Sequence, residues 1–200
     1  MREMLKKGIS TFTVLAMLIS MMPIGMIPIT AHATGHTNHY ACGTTCSGHP
    51  DGTSHTVITN WQQLNTTGGQ LAAGNYYLAG DVQLTSSIQI SGEVNLCLNG
   101  HTITETAQVT AIMLTAGGVL NICDCSTEQT GAITNSNSSI AANGGIISNI
   151  DGTLNLYGGT ITGGHVSGSY TGGGVYLSQT GSGMATFNMY GGAIVNNSAW

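Results

Sequence analysis

Apolar residues alternate with polar ones in short runs along the chain, as in Val94, Leu96, Leu98 and again in Leu154, Leu156. Period two places such residues on one face of a strand. The runs recur inside a repeated phrase. It reads VNLCLNGHTIT from Val94 to Thr104, then LNICDC and GAIT over Leu120 to Cys125 and Gly131 to Thr134. It returns as LNLYGGTIT from Leu154 to Thr162 and FNMYGGAIV from Phe187 to Val195. A shared asparagine fixes the register: Asn95, Asn121, Asn155 and Asn188, spaced by 26, 34 and 33 residues. Each unit has an apolar segment upstream (Ile88 to Ile90, Ile112 to Leu114, Ile146-Ile147, Val175 to Leu177) and an isoleucine downstream (Ile103, Ile133, Ile161, Ile194). One repeat therefore reads as three short strands with a turn at each corner.

No such unit can bury its apolar face alone, but stacked units share a continuous core. Helix is excluded by the density of Gly, Thr and Asn and by the lack of any 3.6-residue apolar period. A propeller needs four antiparallel strands per unit, and three fit better. The pattern predicts an all-β parallel β-helix of about four rungs with a short N-terminal cap. Equivalent positions then stack about 4.8 Å apart. The asparagines become a ladder of amides, and Cys97 and Cys123 share a column with Tyr157 and Tyr190. The tyrosine pair reads as a stacking ladder rather than a glycan platform. The Gly-Gly pairs read as corners, where positive φ is needed. Length varies in three loops, Asn135 to Gly145, Gly163 to Gly174 and Ser178 to Ala185.

The ends of such a coil need covering. Asn60 to Leu64 is predicted to form a short helix capped by Asn60, with Trp61 and Leu64 plugging the first rung. Gly74 to Leu78 leads into the coil. After Asn197-Ser198-Ala199-Trp200 no cap is visible, and the coil is expected to continue in a longer protein.

Charge narrows the function. Arg2, Lys6 and Lys7 precede an apolar run from about Ile9 to Ile29 and the small-residue motif Ala31-His32-Ala33. That is the pattern of a cleaved secretory signal peptide, the alternative being an uncleaved membrane anchor. The resulting division is 1–33 signal peptide, 34–58 Cys/His-rich segment, 59–80 cap and lead-in strand, and 81–200 rungs. These three residues are all the Lys and Arg of the chain. Residues 34–200 thus carry no cation for nucleic acid or anionic lipid, and neither partner is expected. The expected place is secreted or cell-surface, without membrane insertion once the signal is removed.

The segments GNYYLAGDVQL (Gly74 to Leu84), VNLCLNGH (Val94 to His101), LNICDCS (Leu120 to Ser126) and LNLYGGTI together resemble large secreted or surface proteins of Gram-positive, often gut-dwelling bacteria. These look like right-handed β-helices of the pectate-lyase-like superfamily. The resemblance implies an extracellular stalk or adhesion module, with host or microbial glycans or surface proteins as partners. It carries over no catalytic residue.

Candidate chemistry is sparse. The richest cluster holds His36, His39, Cys42, Cys46, His49 and His55. Its core, His39, Cys42, Cys46 and His49, has the ligand types and spacing of a structural zinc site. A Cys42–Cys46 disulfide competes with that reading, as does a tail with free thiols. Cys97 and Cys123 stack within disulfide reach, and Cys123-Asp124-Cys125 offers soft-metal ligands; a rung-to-rung bridge or buried thiols is the plainer reading. No other cofactor is indicated. The acids Glu93, Asp124, Glu128 and Asp151 read as turn residues rather than a hydrolase pair. His101 and His165 are isolated, with no nucleophile grouped beside them. The residues point to a non-enzymatic structural or adhesive module. The alternative is the non-catalytic portion of a polysaccharide lyase or glycoside hydrolase with its active site beyond residue 200.

Overall fold

The structure, a computed structural model, describes residues 36–43 and 56–200. The signal-peptide reading, Cys46, His49 and His55 lie outside the described residues. Within them the chain is all-β and contains no helix.

A short strand, β1 (Gln62–Gln63), is followed by successive triplets. The first is β2 (Gly69–Leu71), β3 (Gly74–Tyr77) and β4 (Val82–Leu84). The second is β5 (Ile88–Ile90), β6 (Glu93–Cys97) and β7 (Thr102–Glu105). The third is β8 (Ile112–Leu114), β9 (Val119–Cys123) and β10 (Ala132–Asn135). The fourth is β11 (Ile147–Ile150), β12 (Thr153–Leu156) and β13 (Thr160–Thr162), with β14 (His165–Val166) behind it. The fifth is β15 (Val175–Ser178), β16 (Thr186–Met189) and β17 (Ala193–Val195), and β18 (Ser198–Ala199) then pairs with β14.

Every first strand of a triplet joins one sheet, every second another and every third a third. Sheet A runs β1-β3-β6-β9-β12-β16, sheet B β17-β13-β10-β7-β4 and sheet C β15-β11-β8-β5-β2. All pairings in these sheets are parallel, and the repeat sets their register. In sheet A, Asn75, Asn95, Asn121, Asn155 and Asn188 stand opposite one another. In sheet B the column is Val82, Ile103, Ile133, Ile161 and Ile194.

The core lies between the sheets. Val94, Leu96, Leu120, Ile122, Leu154 and Leu156 from sheet A meet Ile103, Ile133 and Ile161 from sheet B and Ile88, Ile90, Ile112 and Leu114 from sheet C. Burying each such side chain contributes about 1.5–3 kcal/mol. A one-residue slip would turn every one of them outward, so the register is strongly specified. The corners hold by backbone conformation. Gly159 takes φ +84°, and a Cβ there would come within 2.4 Å of Leu98 Cδ1.

The asparagine ladder is continuous. The Nδ2 of Asn95, Asn121, Asn155 and Asn188 each donates to the Oδ1 of the asparagine on the preceding strand of sheet A, at 2.7, 2.8, 2.7 and 2.8 Å. Asn75 extends it by donating to Asn60 at 2.9 Å. Each internal amide thus satisfies a donor and an acceptor, which matters most at the buried Asn95 and Asn121, where an unpaired amide would be costly.

Two expectations are corrected. Asn60 to Leu64 is not a helix: Gln62 and Gln63 pair with Tyr76 and Tyr77 as the edge strand of sheet A. Leu64 is buried in the core as foreseen, while Trp61 packs elsewhere. The triplets number five rather than about four, because the lead-in segment is itself a repeat. Its Gly74 and Tyr76 stand where the other units carry Val94/Leu96, Leu120/Ile122, Leu154/Leu156 and Phe187/Met189, which hid it. No helix among the described residues is long and apolar enough to cross a membrane.

Candidate metal centre

On β6 and β9 the strand pleat turns Val94, Leu96, Leu120 and Ile122 into the core. Cys97 and Cys123, in register with each other, fall on the opposite face beside the asparagines. Tyr77 precedes them in this column, and Tyr157 follows, its N–H bonded to the Ile122 carbonyl at 2.8 Å. An outward residue on a sheet is normally wet, yet Cys97 and Cys123 are 0% and 1% exposed. The cover over this column is the segment 36–43. His36 lies flat on Tyr77, ring centroids 4.4 Å apart and planes within 5°. Gly43 reaches Cys123, where a Cβ on the glycine would stand 3.9 Å from the cysteine Cβ. The segment is tied back by Ile58 N–H donating to the His39 carbonyl at 3.0 Å. Trp61 packs edge-on against His36, at 5.1 Å, and tilted against His39, at 4.3 Å.

This docking brings four ligand atoms together, from His36, His39, Cys97 and Cys125, all within 4.8 Å of one another. The Nε2 atoms of His36 and His39 face each other at 2.8 Å. The sulfurs of Cys97 and Cys125 lie 2.6 Å apart, and Cys125 Sγ is 3.9 Å from His36 Nδ1. Cys97, Cys123 and Cys125 are free thiols. His39 Nδ1 lies 2.5 Å from the Tyr40 carbonyl, which can only accept, so this nitrogen carries the proton and Nε2 presents its lone pair. Fixing a ligand tautomer by a carbonyl behind the ring is the usual outer shell of a metal-binding histidine.

The thiols are strongly coupled. The Cys97 thiol is pushed up, first by its hydrogen bond with Cys123, with Cys125 pulling the other way and burial adding to the rise. Cys125 is pushed up to about 11 by its hydrogen bond with Cys97 and then by burial, while His36 and His39 pull it down. Two imidazoles and two sulfurs suit a borderline-soft cation such as zinc.

The sequence-derived ligand set is divided by the fold. His39 belongs to the cluster. Cys42 is disulfide-bonded, and a sulfur so bonded is not a thiolate ligand. Cys46 and His49 lie outside the described residues. Cys97 enters from β6 and Cys125 from the loop just after β9, 89 residues from His36 in the case of Cys125. The expected register of Cys97 and Cys123 is observed, without a bridge between them.

The remaining candidates are occupied locally. Asp124 is buried and accepts from the N–H groups of Gly100, Ser126 and Gly131 at 2.9, 3.0 and 2.6 Å. Asp151 accepts from Thr180 N–H at 2.9 Å. His101 Nδ1 is 3.7 Å from Asp81, and His165 Nδ1 is 2.9 Å from Ser198 Oγ. Sequence reasoning missed Glu105, which follows Leu84 in an inward column of sheet B and is 0% exposed. Burial raises its carboxyl above the usual range, against the pull of the Ala107 and Thr106 N–H groups, and Oε2 has no hydrogen-bond partner.

No protein-family model matches the chain, and no curated protein or solved structure is significantly similar to it.

Proposed function

We propose that this chain is an extracellular structural or adhesive module, built as a right-handed parallel β-helix of the pectate-lyase-like kind. The strict order in which the chain visits sheets A, B and C supports their closure into one coil, and the right-handed sense is that favoured for parallel crossovers. The observation that carries the reading is how the polar side chains are used. Asn60 to Asn188 bond along the axis, and Asp81, Asp124 and Asp151 brace corners. Side chains so engaged serve length and rigidity, the properties of a stalk. Binding to host or microbial glycans or surface proteins then falls to the loops between the triplets, where length varies.

The test is on the native host. Whole cells are treated with protease, and the chain is followed by mass spectrometry in the shaved and secreted fractions. Adhesion to immobilised glycans and host-surface proteins is compared with a strain lacking the gene. The reading expects surface or secreted peptides and reduced adhesion. Peptides found only inside intact cells would refute it. So would hydrolytic or eliminative activity on polysaccharides by the full chain.

A further inference from the structure

We infer that His36, His39, Cys97 and Cys125 form a structural zinc site that clamps the segment 36–43 onto the outer face of sheet A. The ligand set is two imidazoles and two thiols, the composition of a closed tetrahedral site with no position left for substrate. On such an ion, with Zn–S near 2.3 Å and Zn–N near 2.0 Å, ligand atoms stand about 3.3–3.8 Å apart. The four here span separations from 2.6 to 4.8 Å around that range. Convergence to it asks for shifts of about 1 Å among Cys97 on β6, Cys125 in the loop just after β9, His36 stacked on Tyr77 and His39 packed against Trp61.

Three further observations point the same way. The His39 lone pair faces His36 Nε2 at 2.8 Å, a contact that needs a cation or a proton between the nitrogens. The outer shell is in place: the Tyr40 carbonyl orients His39, Tyr77 stacks under His36, and Asn99 Oδ1 lies 3.5 Å from Cys125 Sγ. A cleft of about 430 Å³ lined by Cys42, Asp124, Cys125 and Tyr157 gives the ion a route to Cys125. The site joins residues distant in sequence, so the bound ion closes a long loop and restrains the N-terminal segment as a cross-link would. It does not depend on the adhesive reading above.

The experiment uses the full chain purified without chelator. Zinc is measured by inductively coupled plasma mass spectrometry and cobalt replacement is read by absorption. The expected result is about one zinc per chain, with cobalt giving tetrahedral d–d bands and a sulfur-to-cobalt charge-transfer band. Cys125→Ser and His36→Ala, both at partly exposed positions, should each lower zinc at least tenfold while the far-ultraviolet β signature persists. His49→Ala should keep it. Three results would overturn the site: no zinc in a folded chain, a Cys97–Cys125 disulfide in non-reducing peptide maps, or zinc lost from His49→Ala but kept in Cys125→Ser.

Discussion

One column on sheet A is treated differently along its length. At its start, Tyr77, Cys97 and Cys123 lie beneath the 36–43 segment, and the two cysteines are as buried as core leucines. Further along, Tyr157 and Tyr190 take the equivalent positions and stack on each other, centroids 5.0 Å apart and planes within 9°. Tyr190 is 44% exposed, beside Met189 at 49%. The backbone register is the same in both regions. The difference lies in what covers the face, and therefore in what the outward side chains can be. Small thiols fit under a docked segment and can ligate an ion. Further along, the rings of Tyr157 and Tyr190 shield each other instead.

That contrast can be sharpened by substitution, beginning with the core both regions share. Leu120→Ala on β9 should cost about 3 kcal/mol, whereas Phe187→Ala, in the same column but only partly buried, should cost about half as much. Equal losses in urea titrations would mean that the turns do not differ in packing. The ladder offers a second comparison. Asn121 donates to Asn95 and accepts from Asn155, so Asn121→Ala strands two neighbours and should cost about 2 kcal/mol. Asn188 donates to Asn155 on a more open face, and its alanine variant should cost under about 1 kcal/mol by the same measurement.

Glu105 gives an effect of opposite sign. Its folded pKa is raised above the ordinary 4.5, so the folded state holds the proton more tightly than the unfolded chain. Stability is then unpenalised below about pH 4.5 and falls as pH rises through the folded value. Glu105→Gln should raise stability at pH 7, with the gain vanishing below about pH 4.5. A gain that does not change with pH would show that the carboxylate is not penalised there. The smallest effect is expected at Tyr190→Ala, about 0.5 kcal/mol from loss of one stacked, half-wet ring.

The stacked columns were legible because the repeat writes them locally: an asparagine between two aliphatics fixes both face and register. Where those aliphatics give way, as at Gly74 and Tyr76, an extra triplet passed for a lead-in. Asn60-Trp61-Gln62-Gln63-Leu64 looked helical from its spacing and cap, but pairing with β3 outweighed that local preference. The candidate site was legible only in halves. His36 and His39 stood within the His/Cys cluster and Cys123-Asp124-Cys125 read as soft-metal ligands, but ligand spacing can recognise only donors close in sequence. Nothing local says that a segment near residue 40 lies across strands near 97 and 123. That depends on the aromatic surface offered by Trp61 and Tyr77, which reads in sequence as ordinary core.

The most direct test of the clamp is hydrogen exchange of the full chain by mass spectrometry, before and after removal of zinc with a membrane-free, high-affinity chelator. The account expects faster exchange in residues 36–43 and at Ile58, whose N–H is held by the His39 carbonyl. It expects little change over β12 and β16, the strands that lead into the stacked Tyr157 and Tyr190. Unchanged protection of 36–43 after chelation, or equal loosening at both ends of the column, would contradict it.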